Sequence, residues 1–100
     1  MNNLTTHPKV QGDLEKARAY YEEIDPELAE DFVDELLERM ETARDYPLHH
    51  NVFYRNCRRI LCKRFPYKVI YQIREQEQAV HIVAIQHQSE HPNNWKVRIK

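Results

Sequence analysis

The sequence predicts an α+β domain, a helical hairpin packed on a small antiparallel sheet in the order (β)ααβββ. Three observations predict it. Apolar residues recur at helical spacing from Val10 to Ala43, broken once at Asp25-Pro26. Beyond Cys57 the apolar pattern changes to the alternation of strands. At 100 residues, 1–100 is the length of a single domain with one modest core.

Each element follows in order. Asn2 to Thr6 is a short polar segment, readable as a strand on weak signal. Thr6-His7-Pro8 opens the first helix, because proline is tolerated in a first turn where its missing N–H has no partner to lose. Val10, Leu14, Ala17, Tyr20/Tyr21 and Ile24 make its stripe, which Gly12 weakens by about 1 kcal/mol relative to alanine. Asp25 is a good N-cap and Pro26 a good first residue for a second helix. That helix carries Leu28, Phe32, Leu36, Met40 and Ala43, with Ala29, Val33 and Leu37 alongside, and ends near Tyr46 because Pro47 disfavours helix before it. Cys57–Phe65 is rich in strand-forming and basic residues. Tyr67–Arg74 alternates, Glu75–Gln78 is a polar turn, and Ala79–His87 is apolar on both faces, which places it centrally in the sheet. Ser89–Lys100 is irregular or short-stranded.

Composition excludes several function classes. The chain has one glycine, so it lacks the Gly-rich loops that cradle phosphates. Two cysteines five apart, Cys57 and Cys62, make neither a disulfide framework nor a redox pair. His87 and His91 suit a metal only on a helix, and no further ligands join them. No metal and no cofactor is expected. No apolar run approaches the ~20 residues of a membrane span, and the first residues lack a signal-peptide plan, so the expected location is the cytoplasm. The net charge of −1 hides a segregation. Residues 11–45 hold 13 acids against four bases, whereas residues 46–100 hold ten bases against three acids. The basic half, Arg55 to Lys100, is the expected seat of an acidic or polyanionic partner.

This order of residues resembles the RelE/ParE superfamily of toxins from bacterial type II toxin–antitoxin systems, and most closely its ParE-like plasmid-stabilisation branch. The likeness is carried by His7-Pro8-Lys9-Val10, Asp13-Leu14, Tyr20-Tyr21, Leu36 to Met40 and Tyr46-Pro47. It is densest in Arg58-Arg59-Ile60-Leu61, Arg64-Phe65-Pro66-Tyr67 and Val69-Ile70-Tyr71, and continues through Ile82-Val83-Ala84-Ile85, His87, Pro92 and Trp95. It implies a growth-inhibiting toxin neutralised by a cognate antitoxin in a hetero-oligomer, the antitoxin laying a helix along the hairpin and adding a strand to the sheet. An antitoxin-helix groove is expected on Leu28, Ala29, Phe32, Val33, Leu36, Leu37 and Met40. Cys57–Phe65 or the N-terminal segment is the edge for an added strand.

Two targets occur among such relatives. ParE-type toxins inhibit DNA gyrase, and RelE-type toxins cut mRNA on the ribosome. Cleavage by 2′-OH attack needs a base, an acid and cations around the phosphate. Arg59, Lys68 and His87 can fill such roles here. Leu61, however, sits where the resemblance would place another lysine, and Gln88 where it would place an arginine. With a near-neutral net charge as well, gyrase inhibition is the favoured reading. Ribosome-dependent RNA cleavage and a non-toxic interaction module of the same fold are the alternatives. Arg58, Arg59, Lys63, Arg64, Lys68, His87 and Trp95 are the candidate target or partner contacts. The bland counterpart is a solvated basic strand face with Trp95 and the tyrosines in the core.

Overall fold

The computed structural model describes residues 3–90 and 94–99. Asn2, His91, Pro92, Asn93 and Lys100, which the sequence reading drew into the first strand, the histidine pair and the tail, lie outside them. The order of elements is β1 (Asn3–Thr6), α1 (Val10–Ile24), α2 (Pro26–Asp45), β2 (Val52–Tyr54), β3 (Cys57–Leu61), β4 (Tyr67–Arg74) and β5 (Ala79–His87). Short 3-10 turns occupy Pro47–His49, Glu75–Glu77 and Lys96–Arg98.

The break between the helices is where capping chemistry puts it. The Asp25 carboxylate accepts the Glu27 N–H at 3.0 Å, and Pro26 leads α2. The helix ends at Asp45, immediately before the Tyr46-Pro47 stop. Helix α1 starts later than Thr6-His7-Pro8 suggested, because His7 acts as a lead-in. Its carbonyl accepts the Val10 N–H at 3.0 Å and its ring Nδ1 accepts the Lys9 N–H at 3.1 Å.

The sheet runs β1-β5-β4-β3-β2. Its β2–β5 portion is antiparallel, as expected, and β4 and β5 match the predicted spans. Two features go beyond the expectation. The N-terminal strand joins β5 in parallel, which makes the sheet mixed. The residues before Cys57 also form a short strand, β2, so β3 is not the edge it was expected to be: the edges are β1 and β2.

A bulge sets which residues meet the helices. Ile70 lies opposite Ala84 but Tyr71 lies opposite Ile82, so Val83 is the extra residue. Ile82 and Ile85 therefore both join the core beneath the hairpin, although they are three positions apart. That core contains Phe32, Leu36, Ala29 and Met40 from α2, with Val69 and Tyr71 from β4. Tyr21, Phe32, Phe65 and Tyr67 interlock at centroid distances of 4.9–6.2 Å, mostly edge to face, and tie both helices to the β3–β4 loop. A second, smaller cluster on the other sheet face joins Cys57, Ile70, Val83, Ala84 and Trp95.

Candidate functional site

Alternation along a strand puts neighbouring basic residues on opposite faces, and the chain divides its candidates accordingly. In β3, Arg58 pairs with Tyr71 on the helix side, whereas Arg59 pairs with Ile70 on the opposite side, which carries the Trp95 cluster. Arg59 is exposed, with its guanidinium 4.7 Å from the Phe53 ring centroid. Arg58 is half-buried and donates to the His50 carbonyl, pinning the loop that follows α2. Tyr71 fixes the same loop by donating its hydroxyl to the Pro47 carbonyl at 2.7 Å.

Lys68 departs from the exposed face its alternation suggested. It lies between Leu61 of β3 and Gln86 of β5 and is only 8% exposed. Burial, reinforced by the Arg59 charge and opposed by Glu90, lowers its pKa from the usual lysine value. His87 belongs to the other face. It pairs with Tyr67, stands edge-on to that ring at 5.1 Å, and lines a groove with Lys16, Tyr20 and Ile24 of α1. Its Nδ1 faces the Ser89 N–H at 3.0 Å and the Ser89 hydroxyl at 2.8 Å. Arg59 and Lys68 thus share one side of the sheet, while the candidate base His87 sits on the other with one ring nitrogen engaged.

Trp95, expected as a contact residue or a cover for the core, is the cover. It is 1% exposed and packs on Phe53 and Tyr54 at 5.6 and 5.7 Å, which removes it from any binding surface. Lys63 and Arg64 sit in the β3–β4 loop, held by Glu35 of α2. The Glu35 carboxylate accepts the backbone N–H groups of Lys63, Arg64 and Phe65 at 2.8–3.3 Å. Burial alone would raise Glu35, but those three donors and Arg39 outweigh it and hold its pKa below the ordinary carboxylate value. Arg64 adds an ion pair to Asp31 at 2.9 Å.

The expected antitoxin-helix groove also needs correction. Ala29, Phe32, Leu36 and Met40 are buried in the chain's own core, because they form the stripe that faces the sheet. Leu28 and Val33 pack partly against that core. Only Leu37, at 49% exposed, is freely presented. The open concavity of the hairpin lies instead between the helices, about 460 Å³, with Leu14 and Arg18 of α1 facing Val33 and Asp34 of α2.

Sequence reasoning missed the clamp that closes the molecule. Arg98 donates to both carboxylate oxygens of Asp13, at 2.6 and 2.9 Å, and to the Val83 carbonyl at 3.0 Å. Asp13 also accepts the Ile85 N–H at 3.1 Å. The bulge at Val83 and the end of β1 leave these β5 groups without a strand partner, and the pair from α1 and the tail satisfies them. Hydrogen bonding to Asp13 raises the pKa of Arg98 further, despite its burial.

A parallel strand added to an antiparallel meander beneath a helical hairpin is a combination that can be compared directly. The family of the ParE toxin of type II toxin–antitoxin systems, parDE, matches residues 4–92. The chain is a member of the ParE toxin family. Among solved structures, this ParE-family toxin is similar to a chain of the chromosomal ParDE system from P. aeruginosa, with TM-score 0.76 and 18% identity, over 87% of this chain and 96% of that one. It is similar to the isolated E. coli RelE toxin, with TM-score 0.59 and 12% identity, over 97% and 95%. The intact E. coli RelBE toxin–antitoxin complex gives TM-score 0.60 and 13% identity, over 90% and 100%. At these identities the likeness is one of fold. No curated protein sequence matches the chain. No helix among the described residues is long and apolar enough to cross a membrane.

Proposed function

We propose that this ParE-family toxin inhibits DNA gyrase by binding and is neutralised by a cognate antitoxin in a cytoplasmic hetero-oligomer. The observation that carries the choice of target is the split of the cleavage candidates. Acid–base cleavage requires its base and its phosphate-binding cations around one scissile bond. Here the sheet stands between His87 and Arg59, and Lys68 is nearly buried beside Leu61. Without a convergent set of reacting groups, inhibition by binding is the chemistry the residues support. The exposed edge of that face around Arg59 and Leu61, beside the Trp95 cluster, is the target surface in this reading.

The antitoxin helix is assigned to the concavity between α1 and α2, where Val33 and Leu14 offer an apolar floor and Arg18, Asp34 and Glu30 a charged border, with the exposed Leu37 one turn beyond Val33 on α2. β1 and β2 are the sheet edges open to an added strand. The test is induced expression without antitoxin, with gyrase supercoiling and mRNA 5′ ends scored in parallel. Inhibited supercoiling with intact mRNA is expected. Codon-phased mRNA cleavage with active gyrase overturns the reading in favour of the ribosome, and normal growth overturns it in favour of a non-toxic interaction module.

A further inference from the structure

At the β2–β3 turn, past the Trp95 cluster, a pocket of about 500 Å³ is lined by Arg55, Asn56, Gln72, Arg74 and Ile99. Arg74 stands four residues beyond Ile70, the partner of Arg59, which places this pocket about 13 Å along the sheet from the Arg59 edge. Its floor is polar and held in place. Gln72 is only 6% exposed, and its Nε2 donates to Asn56 Oδ1 at 2.8 Å. Its Oε1 accepts a long contact from Arg74 Nη2 at 3.5 Å. With its oxygen taken, Asn56 keeps its Nδ2 as a donor. Neither Arg55 nor Arg74 makes an ion pair among the described residues, and no acid lines the pocket. The Arg74 charge is felt next door: burial, then Arg74 and His7, lower the pKa of His81, against the opposing charge of Glu77. Donors with hydrogen-bonding capacity to spare form a site for an acceptor.

Arg55 points to a ligand on separate grounds. Its backbone is left-handed, with φ of 50°, which costs an arginine energy that glycine or asparagine largely escapes. Its side chain touches Tyr54 alone: Nε donates to the hydroxyl at 3.4 Å, and the guanidinium lies over the ring at 5.7 Å. The fold thus carries a strained residue that it does not use, as binding sites do. The donor set decides the ligand. Two guanidinium groups and an amide N–H serve three oxygens and two negative charges, more than one carboxylate carries. Ile99 is the one apolar wall, so an apolar side chain finds little to pack on. We propose that this pocket binds the phosphate group of a nucleotide, free or within a strand, with Arg55 and Arg74 sharing its oxygens and Asn56 donating a further N–H. The volume exceeds that of a phosphate ion and leaves room for the attached nucleoside. This assignment rests on the pocket's own donors, apart from the Arg59 edge, and stands whichever target the toxin has.

The test is a solution titration of the full chain, made by cell-free synthesis, followed by NMR of the arginine Nε–H signals. The probes are inorganic phosphate, adenosine 5′-monophosphate, a six-nucleotide single strand without terminal phosphates, and acetate. The nucleotide probes are expected to shift Arg55 and Arg74 and to bind about tenfold tighter than acetate. Arg55→Asn and Arg74→Gln are each expected to remove about that factor. Arg55→Asn also relieves the left-handed backbone, so it melts no lower than the parent chain, which separates lost binding from lost folding. Tighter binding of the monophosphate assigns the pocket to free nucleotides and tighter binding of the strand to a nucleic-acid backbone; either upholds the proposal. Acetate binding as tightly as the nucleotides overturns it. So does binding of inorganic phosphate but of neither nucleotide probe, binding unchanged in both variants, or binding lost instead in Arg59→Gln, which moves the anion to the other end of the face.

Discussion

Replacing Arg98 by methionine keeps the aliphatic stem and removes the guanidinium, and with it three hydrogen bonds. Two join charged groups at 2.6 and 2.9 Å, and the third reaches the Val83 carbonyl. Asp13 retains only the Ile85 N–H among its described partners. The side chains of Arg98 and Asp13 are 13% and 17% exposed, so the stranded carboxylate is largely out of water. Breaking a fully buried pair costs about 3–5 kcal/mol, and the residual exposure here reduces this to about 2–3 kcal/mol. For a domain of this size that is a drop of about 10–20 °C in Tm. The single tryptophan, Trp95, lies in the same C-terminal segment and reports its release, so the assay is chemical denaturation followed by Trp fluorescence and far-ultraviolet circular dichroism together. In Arg98→Met the fluorescence transition moves to lower denaturant. Combining Arg98→Met with Asp13→Asn, whose amide oxygen still accepts the Ile85 N–H, recovers about 1–2 kcal/mol of the separate losses. A single variant within about 0.5 kcal/mol of wild type, or strictly additive variants, refutes the clamp as a source of stability.

Four other outcomes follow from the same geometry. Glu35, held below its unfolded value, contributes stability that is present above the ordinary carboxylate pKa and lost as pH falls through its folded pKa; Glu35→Gln is expected to cost about 1–2 kcal/mol at neutral pH and to flatten the acid limb of a stability–pH curve, and an unchanged acid limb counts against it. Leu36→Ala removes a fully buried core side chain and costs about 2–5 kcal/mol in urea titrations, whereas Leu37→Asp stays within about 0.5 kcal/mol and is expected to weaken only antitoxin capture. Gly12→Ala meets open space, so thermal melts are expected to gain about 0.5–1 kcal/mol. Burial pushes the Cys62 thiol up to about 12, so iodoacetamide at pH 8 is expected to label it only after unfolding; rapid labelling of the native chain contradicts its burial.

The parts legible in the sequence were those governed by neighbours along the chain. The Asp25-Pro26 restart, the Tyr46-Pro47 stop, the alternation of Tyr67–Arg74 and the apolar run Ala79–His87 each declare themselves within a turn or a strand, and each lies where it was expected. The site was less legible. A basic strand reads the same whether its arginines face solvent or a loop, and only the pairing of Arg58 with Tyr71 and Arg59 with Ile70 separates the two. The stripes of α2 were visible, but which stripe faces the sheet depends on the partner it packs against. Lys68 looked exposed by alternation, yet it lies between flanking strands on both sides and is only 8% exposed.

By itself the sequence determined the α+β class, the order of every element but β2, the absence of a nucleotide-cradling loop and the division into an acidic hairpin and a basic sheet half. Those follow from composition, periodicity and capping, which act over a few residues. The tertiary structure alone decided the parallel placement of β1, the bulge at Val83, the separation of His87 from Arg59 and Lys68, and the Asp13–Arg98 clamp. These depend on contacts between residues up to 85 positions apart, where no local pattern records which side chain will answer which buried backbone group.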